Sequence, residues 1–421
     1  MPRYLKILFI LILSSFLFLN KSYADEVLTW HDCIKEAAVH QPDLIAAFQQ
    51  VKQSEAGKDI TASGLYPQIN ANLNASTGAT TGAPTADTYT YGVSGSQLLF
   101  NAGKTINNVR AAKENVIAFK ENYRFTSATV RFRLRSAFVN LLTNQENLRI
   151  TREIYDIRRQ NLELIALRYQ SGLEHKGALL TAEADLAQAK YQISQAERQV
   201  DVARRDLLKE MGRVRLVTLS VNGDFEVKDK ATEKPDFEVI AKNNPSLQQL
   251  IAQKKAAEFS LRAAYANFAP NLTAQTSAGR LGSHWSPNQN DWNMGLAVTL
   301  PLYEGGLRIA QVAQSKALLM QLQENERSSR DTVVSTLERS WADLQDAMQN
   351  VEVQRLNLIA TQERSTIAQA QYAIGLISFD NWTIIEDNLV RAKSTYLGAQ
   401  SLALLAEANW IQAKGETIEY E

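Results

Sequence analysis

Pro42 recurs as Pro245, Pro67 as Pro270, Gly92 as Gly295, Gly103 as Gly306, Gly172 as Gly375 and Gly212 as Gly415, every pair separated by 203 residues. Leu141, Asn147, Arg152, Tyr169, Leu173, Glu183, Ala189 and Lys190 return in the same register as Leu344, Asn350, Arg355, Tyr372, Leu376, Glu386, Ala392 and Lys393. No insertion or deletion interrupts the register from Pro42 to Gly212. Glycine and proline set where regular backbone starts and stops. Two segments with the same punctuation therefore fold as two copies of one unit.

The unit opens with a helix of about 22 residues, begun by Asn244-Pro245 in the second copy and Gln41-Pro42 in the first. Asn is a preferred cap, and Pro at the first helical position gives up an N–H that would have no partner anyway. After Pro67 the sequence alternates strictly. Gln68, Asn70, Asn72, Asn74 and Ser76 fall on one face, and Ile69, Ala71, Leu73 and Ala75 on the other. A period of two is a strand with one wet and one apolar side. Nine residues at ~3.3 Å each reach ~30 Å, enough to cross a bilayer with tilt. The second copy repeats the pattern from Asn271 to Ala278, and Trp292, Met294, Leu296, Val298, Leu300 and Leu302 form the apolar side of its return strand. In the first copy the return strand carries Tyr89, Tyr91, Val93 and Leu99, with Gln97 intruding. Tyr89, Tyr91 and Trp292 lie near strand ends, where interfacial aromatics belong.

Gly103 in one copy, and Pro301, Gly305 and Gly306 in the other, mark the break from strand to helix. Lys104 to Gln170 and Leu307 to Ala373 are then free of proline and glycine, 67 residues each. Such a helix rises ~100 Å and must pack beside others. The returning segments show the seam. Leu186, Ala189, Ile193, Ala196, Val200, Ala203 and Leu207 keep a 3,4 spacing, matched by Leu389, Ala392, Tyr396, Ala399, Ala403, Ala406 and Trp410. A 3.5-residue repeat sets a left-handed coiled-coil seam.

Arg3 and Lys6, the apolar run Ile7 to Leu19 and Ser22-Tyr23-Ala24 have the layout of a secretory signal peptide over residues 1–24. The run is 13 residues, short of the ~20 that a spanning helix needs. Lys plus Arg and Asp plus Glu number 45 each, so charge gives no reason to expect nucleic acid. The four histidines form no His-Glu-x-x-His pair and there is no phosphate-binding Gly-x-x-x-x-Gly-Lys motif. No catalytic residue, cofactor or metal is expected. His31, Asp32, Cys33 and His40 read as ordinary helix residues. The single cysteine, Cys33, has no intrachain partner.

The expected fold is an α+β membrane protein with a duplicated unit. Long antiparallel coiled-coil helical hairpins accompany four strands given to a shared transmembrane β-barrel. The expected divisions are a first repeat at 25–212 (strands 68–100, helical hairpin 104–211) and a linker at 213–235. A second repeat follows at 236–415 (strands 271–303, helical hairpin 307–414), then a tail at 416–421. Four strands cannot close a barrel, for which about eight is the smallest number. Open edges in lipid cost several kcal/mol per unsatisfied group, so more than one chain must close it.

With these features assembled, the chain resembles the TolC-type outer-membrane efflux proteins. The resemblance rests on the duplication, on Leu300-Pro301-Leu302-Tyr303-Glu304-Gly305-Gly306, and on Arg168-Tyr169-Gln170-Ser171-Gly172-Leu173 with its copy Gln371-Tyr372-Ala373-Ile374-Gly375-Leu376. It implies a homotrimer with a twelve-stranded barrel in the outer membrane of a Gram-negative bacterium, and a helical tunnel into the periplasm. It implies that Arg168, Tyr169, Gly172, Leu173, Tyr372, Gly375 and Leu376 form tips where a periplasmic adaptor docks. The adaptor would link the duct to an inner-membrane pump of RND or ABC type. Residues 25–41 and 213–241 would contribute to an equatorial belt. The acidic inner ring of some members is thin here: the candidates are Asp380, Asn381 and Trp382, and the first copy has Glu174, His175 and Lys176. The residue patterns alone also suit a barrel-anchored tether that spaces the envelope without transport.

Overall fold

The computed structural model describes residues 26–79, 81–82, 84–213, 218–228 and 233–420, so the expected signal peptide lies outside the described residues. The elements run β1 (Glu26–Leu28), α1 (Trp30–His40), α2 (Pro42–Ser63), β2 (Gln68–Gly78), β3 (Ala86–Phe100), α3 (Lys104–Gln170), α4 (Lys176–Glu210), β4 (Leu219–Val221) and α5 (Phe237–Ala241). They continue with α6 (Pro245–Ala266), β5 (Asn271–Gly282), β6 (Gln289–Thr299), α7 (Leu307–Ala373), α8 (Phe379–Lys414) and a 3-10 turn at Ile418–Tyr420. The long helices α3 and α7 are each 67 residues. The opening helices α2 and α6 are each 22. The Asn244 side chain caps α6 by accepting from Ser246 N–H at 3.0 Å.

One compact unit comprises residues 43–127 and 236–338. Its sheet is antiparallel in the order β2-β3-β5-β6. Cross-strand partners share a face, and the register keeps like with like. Ala71 faces Val93, Val93 faces Ala278 and Ala278 faces Trp292. On the other face Asn70, Ser94, Ser277 and Asn293 stand in one row. Ile69, Leu73, Trp292, Met294, Leu296 and Val298 are all well exposed. That apolar surface is what a hydrocarbon solvent would cover.

A register shift between Leu98 and Phe100 puts Phe100 opposite Leu272, which in turn faces Val298. The extra residue is Leu99, and the bulge keeps the last aromatic of β3 on the apolar side. Gln97 is accommodated at the end of that face because its side-chain amide donates to the carbonyls of Leu65 at 3.0 Å and Leu98 at 2.8 Å. The β5–β6 ladder ends at Thr299, short of the Tyr303 expected from alternation. Pro301 has no N–H to extend it. In mid-sheet Gly92 faces Gly279, and a Cβ on Gly279 would meet the Tyr91 carbonyl oxygen at 2.4 Å.

The other unit comprises the described residues within 1–42, 128–235 and 339–421. It contains a two-stranded parallel pair, β1 with β4, and most of the helical hairpins α3–α4 and α7–α8. The expected seams are its packing surface. Ala189, Ala196, Val200, Ala203 and Leu207 on α4, and Leu389, Ala392, Ala399, Ala403 and Trp410 on α8, are buried. Each unit draws on both sequence copies. Among the described residues no helix is long and apolar enough to cross a membrane.

Candidate functional site

The two hairpin turns are built alike. At the end of α3, Gly172 N–H donates to Tyr169 O at 3.0 Å and Leu173 N–H to Arg168 O at 2.8 Å. At the end of α7, Gly375 N–H donates to Tyr372 O at 3.0 Å and Leu376 N–H to Gln371 O at 2.8 Å. This pair of bonds satisfies the last carbonyls of a helix and requires a left-handed residue between them. Gly172 and Gly375 supply it, with φ of 72° and 79°. Just past each glycine an apolar side chain stands in solvent: Leu173 is 67% and Leu376 69% exposed. Ile374 is exposed beside Leu376, and Tyr169 is partly so.

The two turns differ beneath that surface. Tyr372 is only 1% exposed, while its counterpart Tyr169 is 38% exposed. Tyr372 belongs to a core with Ile165, Ala178, Ala182, Ala368, Phe379 and Trp382, drawn from both hairpins. Its ring stacks on Trp382 with centroids 4.4 Å apart and planes 10° from parallel. Trp382 is therefore a packing residue, 2% exposed, and does not share the surface of Asp380 and Asn381, which are exposed on the first turn of α8. The helix period explains the split, since Phe379, Trp382 and Glu386 fall on the inward side. Among the described residues the buried indole N–H has no hydrogen-bond partner. Trp382 lines a cavity of about 10 Å3 with Arg158, Asn161, Asp185, Thr383 and Glu386, about the room one water needs.

Polar groups tie one hairpin to the other. The Tyr372 hydroxyl donates to Glu174 Oε2 at 2.9 Å. The Arg168 guanidinium lies 4.8 Å from the centre of the Tyr372 ring, and its Nε is 4.0 Å from Glu174 Oε2. Arg168 Nη1 also donates to the carbonyls of Tyr372 and Ala373, each at 3.4 Å. Burial, reinforced by the Glu174 carboxylate, pushes the Tyr372 phenol above its ordinary range, so it remains a donor at physiological pH. Farther from the turn, Arg158 of α3 bonds Asp387 of α8 and lies 3.7 Å from Asp185 of α4. Burial pushes the Asp185 carboxyl up, against the pull of Arg158. Ser365 donates to the buried Glu386 at 2.5 Å, whereas the matching Glu183 is exposed. The sequence motifs name Arg168 and the turn glycines. They miss the Glu174–Tyr372 bond and the Arg158 bridge, which join residues more than 190 positions apart.

The strand-to-helix junctions also repeat. Gly103 and Gly306 have φ of 76° and 86°. Gly305 has φ 59°, and Ala102, its counterpart, is held at φ 51°. Pro301 lies in the unpaired stretch between β6 and α7. Around the early histidines, Asp32 completes a capping box with Thr29 and Cys33 is fully buried.

Residues 33–213 and 238–416 match the model of a family described as outer membrane efflux protein. The outer membrane efflux protein BepC of Brucella suis is 24% identical over 369 residues, 85% of this chain and 76% of that protein. The outer membrane protein TolC of Escherichia coli is 22% identical over 321 residues, 71% of this chain and 64% of its own length. Among solved structures, the CmeC outer membrane channel of Campylobacter jejuni superposes with a TM-score of 0.82 at 17% identity, covering 96% of this chain and 92% of that one.

Proposed function

The chain belongs to the outer membrane efflux protein family, and from that premise we propose that it is the exit duct of a tripartite efflux or type I secretion machine. The observation that carries this reading is the four-stranded sheet, apolar on one face and polar on the other, in which β2 and β6 each pair on one side only among the described residues. Two or more copies must join such sheets before the edges are satisfied in lipid. Three copies would give the twelve-stranded homotrimer that the family resemblance implies.

In this reading the polar rows around Asn70 and Ser277 line a wet passage and the protein performs no catalysis. A periplasmic adaptor grips the turns through Leu173, Ile374 and Leu376, with Tyr169 at the rim. An inner-membrane pump, of RND or ABC type, supplies the energy. Exposed apolar side chains on a turn support this, because a solvated turn gains nothing from them while a partner would bury them. Opening is a slide of one hairpin past the other, a shear motion. The Arg168–Glu174–Tyr372 tie holds the closed arrangement, with Asp380 and Asn381 lining the mouth and Trp382 packed behind them. The test is crosslinking to the adaptor. Leu173→Asp combined with Leu376→Asp should abolish it while the barrel still assembles. Undiminished crosslinking and efflux would remove the turns from the docking role.

A further inference from the structure

His175 opens α4, and its ring makes the cap. Nδ1 accepts from the backbone N–H of Ala178 at 3.1 Å. The ring lies over Gly177, where a Cβ would come within 3.0 Å of Nδ1 and 3.2 Å of Cε1. Glycine is a poor helix former, and here it gives the ring its seat. On its other side Nε2 lies 3.8 Å from Glu174 Oε1. Glu174 is the carboxylate that accepts from Tyr372 of the second hairpin. The other charged or titratable groups around this cap are Arg168 on α3 and Tyr372 on α7, with Lys176 next in the chain. From α8 the residues packed on Tyr372 are Phe379 and Trp382, which do not titrate.

We propose that His175 is a proton-operated release for the tie between the two hairpins, so that acidification loosens the turns. The inference rests on the reading of these turns as the closing end of a duct. The chemistry is direct. A ring nitrogen that accepts a hydrogen bond carries no proton, and a protonated imidazole has two donors and no acceptor. On protonation Nδ1–H would oppose Ala178 N–H, and a cation would sit at the positive end of the helix dipole. The ring must leave its seat over Gly177. Glu174 offers the ring an acceptor, and a carboxylate drawn toward the imidazolium is drawn from the Tyr372 hydroxyl. Imidazole is the side chain whose ordinary charge change falls between about pH 5 and 8.

The experiment is single-channel recording of the full-length protein in planar bilayers at about pH 7.5 and about pH 5.5, on either side of that range. The wild-type open fraction should rise at least about threefold on acidification. His175→Asn keeps a capping acceptor that does not titrate. It should stay at the wild-type pH 7.5 value at both pH values. His175→Ala loses the cap and supplies no imidazolium to draw Glu174 from Tyr372, so it too should show no pH response. A wild type with no pH response, or a His175→Asn channel that keeps the full response, would overturn the inference while leaving the duct intact. A protein that inserts yet conducts at neither pH would overturn the duct reading and this inference with it.

Discussion

Four glycines do the same work at the ends of four helices. Gly172, Gly212, Gly375 and Gly415 all have φ between 72° and 80°, as two pairs 203 residues apart. They are not equally replaceable. A Cβ at Gly375 would meet nothing within 4 Å, whereas at Gly212 it would lie 2.3 Å from the His40 carbonyl oxygen. Gly375→Ala should cost only the left-handed backbone term, about 1–2 kcal/mol. Gly212→Ala should cost clearly more, read as a larger drop in the thermal midpoint of helical circular dichroism. Beside Gly212, Arg213 donates to both Glu26 and Glu36 and so ties β1 and α1 to the end of α4. The hydrogen bond from Arg213 holds the Glu26 carboxyl below its ordinary value. A depressed carboxylate contributes stability above its unfolded pKa and loses it as pH falls through the folded value. Protection of the β1 amides from hydrogen exchange should therefore hold at neutral pH and weaken as pH drops below about 4.3.

At the scale of elements, the strands and long helices were legible because their signals are periodic and local. Alternation located β2, β5 and β6, and the absence of glycine and proline located α3 and α7 to the residue. What one strand does to another was not legible. Leu98-Leu99-Phe100 shows no alternation, so the bulge that restores Phe100 to the apolar face appears only once β5 is beside it. The adjacency of β3 and β5, from different copies, is likewise a tertiary fact. The turn residues are named by motif, but a motif does not report burial. Tyr169 and Tyr372 occupy equivalent positions, yet only Tyr372 has Trp382 to stack on. Two variants separate these roles. Tyr372→Phe keeps the stacking and leaves Glu174 without its donor, so the helical core should stay intact while the turns open more readily in bilayer recordings. Met294→Arg adds charge to the exposed apolar face and should impair membrane assembly by about 2–4 kcal/mol. Trimer yield in outer-membrane fractions measures it. An equal yield would show that this face does not meet lipid.

For the whole molecule, the duplication is the governing fact. One helix–strand–strand–helical hairpin plan, used twice, yields a sheet of four strands that two edges leave incomplete and a pair of hairpins tied at their turns. The incomplete sheet demands further copies. In the proposed duct, the tie between the turns is what opening would release. A tether would need neither the polar row of Asn70, Ser94, Ser277 and Asn293 nor a releasable turn. The most direct test is unitary conductance of the purified, membrane-inserted protein. Stepwise conductance is expected, and it should increase when Tyr372→Phe or Glu174→Ala removes the Glu174–Tyr372 hydrogen bond. A correctly assembled oligomer that inserts and never conducts, with the tie intact or broken, would contradict the proposed duct.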